Sequence, residues 1–432
     1  MDLNGHTVLV TGGASGLGGA VVDMVVGAGG RAVILDLNDE KGREKASQLR
    51  SVVRFVKGDV TQEADVQNAV FEQTDAFYRS ESYGTVWLTG TVTPWLQAFT
   101  GPVSCSVPAI RTGADAAARR AGFDVSSYDR VIYVHPNAGC PWSGATFART
   151  VALNGVISRR VIAHELGHTF GLPHANATDC RRHAVGCDAL EYGDPYDTMG
   201  SGVGDFGAKA KVDLGWIRRI GRPAAKGVYT LAPLETHSTR PQVFVVTTAS
   251  DQYWIEDRSK PALNEAGAQV ADAGVVLHLS ASPDLRGGPA SDFPRNLLVR
   301  NPAKRGRPEL RPGDRFVYPG AFRLTVLKPS SAGARFRFAW TDTVPPKAPR
   351  FSASIVDGRV RVTWEDAVET GSGVAHYDVT VDGGAAVRFG ADLTQEPIVV
   401  GRALPGQHTV RVVAVDRAGN RSRPAVRRIE TQ

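Results

Sequence analysis

The sequence predicts a multidomain chain: an α/β segment at the N-terminus, an α+β domain after it, and two β-sandwich domains toward the C-terminus. Three observations carry this expectation. Residues 7–60 alternate apolar strand patterns with a glycine-rich turn and helical patterns. The middle of the chain holds three histidines, His164, His168 and His174, at a spacing that suits a helix and the turn after it. Past Ile220 the pattern becomes short alternating runs, interrupted by the proline-rich stretch 343–349. A length of 432 residues suggests about three domains, and 42% apolar residues is ordinary for globular protein.

The first segment opens with an apolar strand, Thr7 to Thr11, followed by Gly12-Gly13-Ala14-Ser15-Gly16-Leu17-Gly18. A helical pattern comes next (Ala20, Val21, Val22, Met24, Val25, Val26), then a second strand, Ala32 to Leu35, ending in Asp36. Such a unit sets backbone N–H groups and a helix N-terminus under a pyrophosphate and leaves the acid for ribose hydroxyls. Residues 53–61 supply a third strand with Asp59-Val60 at its end. The whole resembles the N-terminal half of a short-chain dehydrogenase/reductase. That resemblance implies a Rossmann-like segment over 1–67 with NAD, rather than NADP, held at Gly12, Gly16, Gly18 and Asp36, and the Asp59-Val60 pair against the adenine. It stops there. The family needs a Tyr-x-x-x-Lys pair, and none of the ten tyrosines has a lysine four residues on. Asn137-Ala138-Gly139 matches the family's Asn-Ala-Gly element in letters, but lies too far along the chain to belong to it. Half a dinucleotide site should bind NAD poorly and transfer no hydride.

The seam to the next domain is diffuse, because residues 61–71 suit either a third dehydrogenase helix or the first helix of the second domain. Whether the N-terminal strands complete the next domain's sheet or stand apart is open on the sequence alone.

His164-Glu165-Leu166-Gly167-His168-Thr169-Phe170-Gly171-Leu172-Pro173-His174 is the most specific stretch of the chain. His164 and His168 are four apart, so a helix projects both imidazoles from one face. Glu165 is off that spacing, within reach of a water on the ion rather than of the ion. Gly171 can take positive φ and Pro173 discourages continuation, so the chain turns back and presents His174. Three histidines leave a coordination position open, the catalytic arrangement of zinc. Downstream comes Glu191-Tyr192-Gly193-Asp194-Pro195-Tyr196-Asp197-Thr198-Met199-Gly200, then Leu214-Gly215-Trp216; upstream lies Phe77-Tyr78-Arg79-Ser80-Glu81-Ser82-Tyr83-Gly84. Together these resemble the gametolysin-like metallopeptidases, a metzincin family, over roughly 68–340. The resemblance implies Zn²⁺ on His164, His168 and His174, Glu165 as general base, and Met199 in a tight turn packed beneath the histidines. Some metzincins place a tyrosine two residues after that methionine; Ser201 stands there in this chain.

Four cysteines, at 105, 140, 180 and 187, all lie in this region. In a family that acts mostly outside the cell they suggest the disulfides Cys105–Cys140 and Cys180–Cys187. Asn176-Ala177-Thr178 is a glycosylation sequon, meaningful only in a secreted eukaryotic product. His183 reads as a surface residue, and Asp188 and Glu191 as carboxylates able to bind a second cation. No run of eighteen apolar residues occurs, so no membrane helix is expected. No secretory signal is visible at the N-terminus, which conflicts with the extracellular habit of the resembled family and leaves the cytoplasm as the alternative. The net charge of +6 is dispersed and no nucleic-acid motif appears, so no nucleic-acid partner is expected.

Strand patterns at 227–231, 243–246, 253–256, 274–278, 316–318 and 335–340 predict a β-sandwich over 221–342. In the last, Phe336, Phe338 and Trp340 share one face and Arg335 and Arg337 the other. His237 and His278 read as structural or exposed. After the linker, Trp364, Tyr377 and Val410-Arg411-Val412-Val413-Ala414-Val415-Asp416-Arg417-Ala418-Gly419-Asn420 resemble a fibronectin type III domain over 346–432, a module that acts as a spacer or binds proteins or polymers.

The expectation is therefore a zinc metalloendopeptidase acting on a protein or peptide, in a domain spanning 68–220. The alternatives are an NAD-dependent short-chain oxidoreductase remnant, which cofactor binding and a dehydrogenase assay would reveal, and a catalytically inactive fusion or binding protein.

Overall fold

The computed structural model describes residues 3, 7–59, 63–179, 188–264, 268–281, 297–299, 307–391 and 397–431. Val60, Cys180, His183 and Cys187 lie outside the described residues. The chain is multidomain, with a Rossmann-like parallel segment first and many β-sheets after it.

That first segment runs β1 (Thr7–Thr11), α1 (Gly16–Gly27), β2 (Arg31–Asp36), α2 (Asp39–Leu49) and β3 (Val53–Lys57). The strands form a parallel sheet in the order β1-β2-β3. Ala32 through Leu35 are fully buried, as a strand covered on both faces requires. Val22 and Val25 of α1 cover one face. The other is covered by α3 (Glu63–Glu81), where Gln73 Nε2 donates to the Thr7 carbonyl (2.8 Å) and Arg54 of β3 pairs with Glu72 and Asp75.

The relation between the two segments, open in the sequence, is resolved at α3. Among the described strands, β1–β3 pair only with one another, so they do not extend the next sheet. They join it through packing instead: Leu9 of β1 reaches the core built from Val70, Phe77 and Tyr78 of α3 and Ile162, Leu166 and Met199 beyond. The diffuse seam is one helix with two loyal faces.

The central region adds α4 (Val107–Arg120), β4 (Val131–His135), β5 (Gly144–Phe147), β6 (Thr150–Asn154) and α5 (Arg159–Thr169). Strand β6 lies between parallel β4 and antiparallel β5, leaving β5 at the edge. Cys105 and Cys140 form a disulfide tying the start of α4 to the loop after β4. Then come β7 (Asn176–Asp179), β8 (Asp188–Leu190), α6 (Ala208–Asp213) and β9 (Ile220–Gly221).

Strands β10 (Gly227–Leu231), β11 (Val243–Thr247), β12 (Asp251–Arg258), β13 (Ala262–Leu263), β14 (Gln269–Ala271), β15 (Gly274–Ala281), β16 (Leu297–Leu298), β17 (Arg315–Tyr318), β18 (Phe322–Ser330) and β19 (Gly333–Trp340) come next. A seven-stranded sheet runs β8-β7-β16-β15-β12-β11-β9, and a four-stranded one β10-β19-β18-β17. Phe244, Ile255 and Leu277 of the first meet Phe322, Phe336 and Phe338 of the second in one apolar core. The larger sheet takes in β7 and β8, so it crosses the border at 220 that the sequence suggests.

The last segment holds β20 (Phe351–Val356), β21 (Arg359–Trp364), β22 (Val374–Val381), β23 (Val387–Gly390), β24 (Ile398–Arg402), β25 (Gln407–Asp416) and β26 (Ala425–Glu430). Its sheets, β20-β21-β24 and β23-β22-β25-β26, share a core around Trp364, Tyr377 and Val412. It is tied back at the linker, where Asp342 accepts from the Ser372 backbone N–H and hydroxyl, both at 2.8 Å.

Candidate metal centre

Helix α5 begins at Ser158, whose hydroxyl accepts from the Val161 N–H. It ends where Gly171 takes φ +87° and the Leu172 N–H returns to the Gly167 carbonyl (3.1 Å). The chain reverses there, and His174 comes back to face His164 and His168. One ligand-type atom from each of the three lies within 4.8 Å of the others, a grouping that one metal ion can draw together.

Each imidazole is oriented by an oxygen at its Nδ1. His164 donates to the Thr198 carbonyl (2.9 Å), His168 to the Leu172 carbonyl (2.8 Å), and His174 to the Glu191 carboxylate (2.9 Å). A carbonyl oxygen can only accept, so the Nδ1 atoms of His164 and His168 carry hydrogen; with the His174 Nδ1 likewise engaged by Glu191, the Nε2 lone pairs are left for a metal. Burial pushes His164 down to about 4 and lowers His174 as well, which keeps both neutral and ligand-ready at pH 7. The donor set, three imidazole nitrogens grouped around one point, fits Zn²⁺.

Glu165, close enough to His168 to feel its charge, lies against β5. Thr146 Oγ1 donates to its Oε2 (2.6 Å), and Gly144 makes the passage possible, since a Cβ there would sit 2.7 Å from the Glu165 Cγ. Burial raises the Glu165 pKa, with the Thr146 hydroxyl and His168 opposing.

Met199 is buried beneath α5. Its sulfur would lie 2.4 Å from a Cβ at position 167, so Gly167 is the gap in the helix into which the methionine fits. Asp197 shapes this turn by accepting from the Met199 and Gly207 N–H groups (2.8 and 2.7 Å), and Arg160 of α5 donates to the Gly200 and Gly202 carbonyls (3.0 and 3.1 Å). Glu191, read from the sequence with Asp188 as a carboxylate for a second cation, is engaged with the His174 Nδ1.

Sequence reasoning missed Thr146, Gly144 and Tyr192. The first two carry no spacing signal, because a hydroxyl on an edge strand looks like any other. Tyr192 sits inside the stretch 191–200 that leads to the methionine turn, and only the fold shows its ring against His174, with centroids 4.1 Å apart.

In the N-terminal segment Gly12 and Gly16 take φ +67° and +58°, and a Cβ at Gly18 would fall 2.2 Å from the Gly12 carbonyl oxygen. The glycines are required by the turn. Asp36 receives the Ala14 N–H (2.9 Å) and the Asn38 N–H (2.9 Å), and the Asp59 N–H donates to Asp65 (2.8 Å). These residues gather at the C-terminal ends of the parallel strands, where open α/β sheets bind ligands. Asn137-Ala138-Gly139 lies in the loop after β4, with Ala138 donating to Asn154, remote from that turn in the fold's order.

Comparison with known proteins divides the chain in the same way. Residues 6–80 match the short chain dehydrogenase family, and residues 65–255 match the gametolysin peptidase M11 family. The two matches overlap on helix α3. The chain is 37% identical over 76 residues to a 2,5-dichloro-2,5-cyclohexadiene-1,4-diol dehydrogenase from Sphingobium indicum, covering 18% of this chain and 30% of that protein. It is 44% identical over 69 residues to the human 3-hydroxyacyl-CoA dehydrogenase type-2, covering 16% and 26%. The chain thus spans under a third of the length of these curated relatives. Among solved structures, a short-chain dehydrogenase/reductase from Brucella melitensis is similar at 24% identity over 18% of this chain and 34% of that one, with a TM-score of 0.17. A two-domain fibronectin type III segment of chicken tenascin is similar at 15% identity over 44% of this chain and 97% of that one, with a TM-score of 0.19.

Proposed function

We propose that the chain is a zinc-dependent metalloendopeptidase of the metzincin type. The observation that carries this reading is the set of three imidazoles, each with its Nδ1 committed to an oxygen and its Nε2 left toward one point, with Glu165 beside them. The match of 65–255 to gametolysin peptidases supports it. His164, His168 and His174 would hold the ion, which supplies Lewis acidity and a water of near-neutral pKa. Glu165, raised by burial and oriented by Thr146, takes the proton from the attacking water and delivers it to the leaving amine. Edge strand β5 offers its outer backbone beside Glu165, so an extended substrate segment can lie along it. The substrate class is protein or peptide.

The same reading divides the chain into a partial Rossmann segment (1–67), an α+β metzincin domain (68–220), a β-sandwich (221–342) and a fibronectin type III-like domain (346–432), with β7 and β8 lending strands across the second border. The last two could bind proteins or polymers. No helix among the described residues is long and apolar enough to cross a membrane. The Cys105–Cys140 disulfide favours an extracellular setting.

A second reading has one observation behind it: the glycine turn and Asp36 keep the geometry of an adenosine-diphosphate cradle. NAD binding there, without hydride transfer, is compatible with the protease reading.

Metal analysis of purified protein, with cleavage of casein or gelatin, tests the proposal. About one equivalent of zinc is expected, with His168→Ala losing nearly all of it. Full zinc occupancy in that variant sinks the assignment. Robust NAD-linked turnover of alcohols or ketones would promote the oxidoreductase alternative, and zinc retention without any hydrolysis would favour the inactive one.

A further inference from the structure

We propose that His278, on strand β15 of the seven-stranded sheet, is a positioning residue of the metal centre that holds His174 in place through Asp194. The proposal rests on the metal reading above.

His278 and Asp194 are both buried, and the His278 Nε2 lies 2.7 Å from the Asp194 Oδ2. The other Asp194 carboxylate oxygen accepts from the Tyr196 N–H (2.8 Å). Through its backbone, Asp194 grips the residue next to the third ligand: its N–H donates to the Ala175 carbonyl (3.3 Å). The Ala175 N–H in turn donates to the Met199 carbonyl (2.9 Å), so the stretch after His174 is held between Asp194 and the methionine turn. There is no slack in this stack. A Cβ at Gly200 would sit 2.2 Å from the Asp194 carbonyl oxygen and 2.9 Å from that of Ala175. A shift of Asp194 therefore moves residue 175, and with it His174.

The sheet supplies a second connection. Strand β7 starts two residues after His174, and β8 ends one residue before Glu191, the carboxylate on the His174 Nδ1. Both strands reach β15 through β16, which pairs Leu298 with Ala177 on one side and with His278 on the other. The far side of the His278 ring faces Glu256, with Nδ1 3.8 Å from its Oε1. Glu256 is itself fixed by Arg258 (2.7 Å) and by the Ala208 N–H (2.6 Å). The imidazole is thus clamped between two carboxylates, one from the sheet and one from the metal-side loop. Partners behind a ligand typically change metal affinity by about 10–100-fold when removed.

The test measures Zn²⁺ affinity by competition with a chromophoric chelator, on the full chain, at a temperature where circular dichroism shows every variant folded. His278→Leu should hold zinc roughly 10–100-fold less tightly than wild type. His278→Gln, whose amide N–H can still donate to Asp194, should recover part of that loss. Leu277→Ala is the control: it opens a cavity on the opposite face of the same strand, in the core between the sheets, and should lower Tm without changing zinc affinity. Should His278→Leu not fold, Asp194→Asn and His278→Gln carry the comparison, both weaker than wild type. Wild-type zinc affinity in the folded His278 variants overturns the proposal alone. A wild-type protein that binds no zinc overturns the metal reading and this inference with it.

Discussion

The Tyr192 ring lies against the His174 ring, centroid to centroid 4.1 Å apart, and Tyr192 holds φ +57° to put it there. Its N–H is fixed by the Asn176 side chain (3.0 Å), and the Gly193 N–H closes the turn on the Leu190 carbonyl (3.1 Å). The third position of such a turn normally goes to glycine, because a side chain in the left-handed region costs about 1–2 kcal/mol. Tyrosine at that position points to a use for the ring.

Tyr192→Gly should therefore separate stability from metal binding. The relief of left-handed strain offsets the added chain entropy, so unfolding free energy should stay within about 1 kcal/mol of wild type. Zinc affinity should fall, since His174 loses the ring beside it. Tyr192→Phe should keep wild-type affinity. Denaturant unfolding of the metal-free proteins, alongside chelator competition, checks both, and unchanged affinity in the glycine variant would show the ring to be incidental.

Glu165→Gln should keep zinc and fold while hydrolysis drops by ~10²–10⁴-fold, the usual contribution of a general base. The measurement is zinc content and cleavage of an unstructured protein on matched samples. If the variant cleaves as fast as wild type, the activity belongs elsewhere.

Thr146→Val removes the hydroxyl that holds the Glu165 carboxylate charged. With burial unopposed by that bond, the Glu165 pKa rises further, and the base is lost at a higher pH. The acidic limb of the kcat/KM profile should move upward in pH, with the basic limb unmoved. An acidic limb that stays in place would assign it to another group.

The Glu81 contribution to stability should fall as pH rises from about 5 to about 8. Burial, then the nearby Asp205 charge, lifts Glu81 from 4.5 to about 8 against the pull of Lys211, whose Nζ sits 3.1 Å away. The folded state thus holds a proton that the unfolded state releases near 4.5. This contribution is fully present below the unfolded value and is lost as pH passes the folded one. Asp197, raised to about 6 mainly by burial, acts in the same direction. Unfolding free energy measured across this range should lose less with pH in Glu81→Gln than in wild type; the same pH dependence in that variant would reject Glu81 as a source.

Reduction of the Cys105–Cys140 bond should lower stability by about 3–4 kcal/mol, the loop-closure estimate for its sequence separation of 35 residues. Melting with and without reductant, at fixed zinc, gives the figure.

Much of this architecture is legible in the residues. The alternation in 335–340 becomes β19 with Phe336 and Phe338 buried and Arg337 exposed, because a period of two admits one arrangement on a one-sided sheet. His164, His168, Gly171 and His174 can be read because helix geometry and the left-handed turn fix their spacing locally. What stays hidden depends on contacts between distant segments. Nothing near Gly144 or Thr146 announces Glu165, about twenty residues on. His278 looks like a solitary histidine until β15 brings it to Asp194, 84 positions away. The seam is illegible for a different reason: α3 satisfies two neighbours at once, so its sequence fits both patterns.

That double allegiance bears on how the chain can be cut. Asp75, on the face of α3 toward the first sheet, is buried and shared by Arg54 (2.9 Å), Arg79 (2.7 Å) and the Leu88 N–H (2.6 Å). Expressing residues from 63 onward would strip Arg54 from this carboxylate and Leu9 from the cluster around Val70 and Phe77. The shortened product would carry a newly wetted apolar stripe and an acid short of one counter-charge, a recipe for inclusion bodies. The N-terminal segment thus covers an apolar stripe of its neighbour that would otherwise meet water.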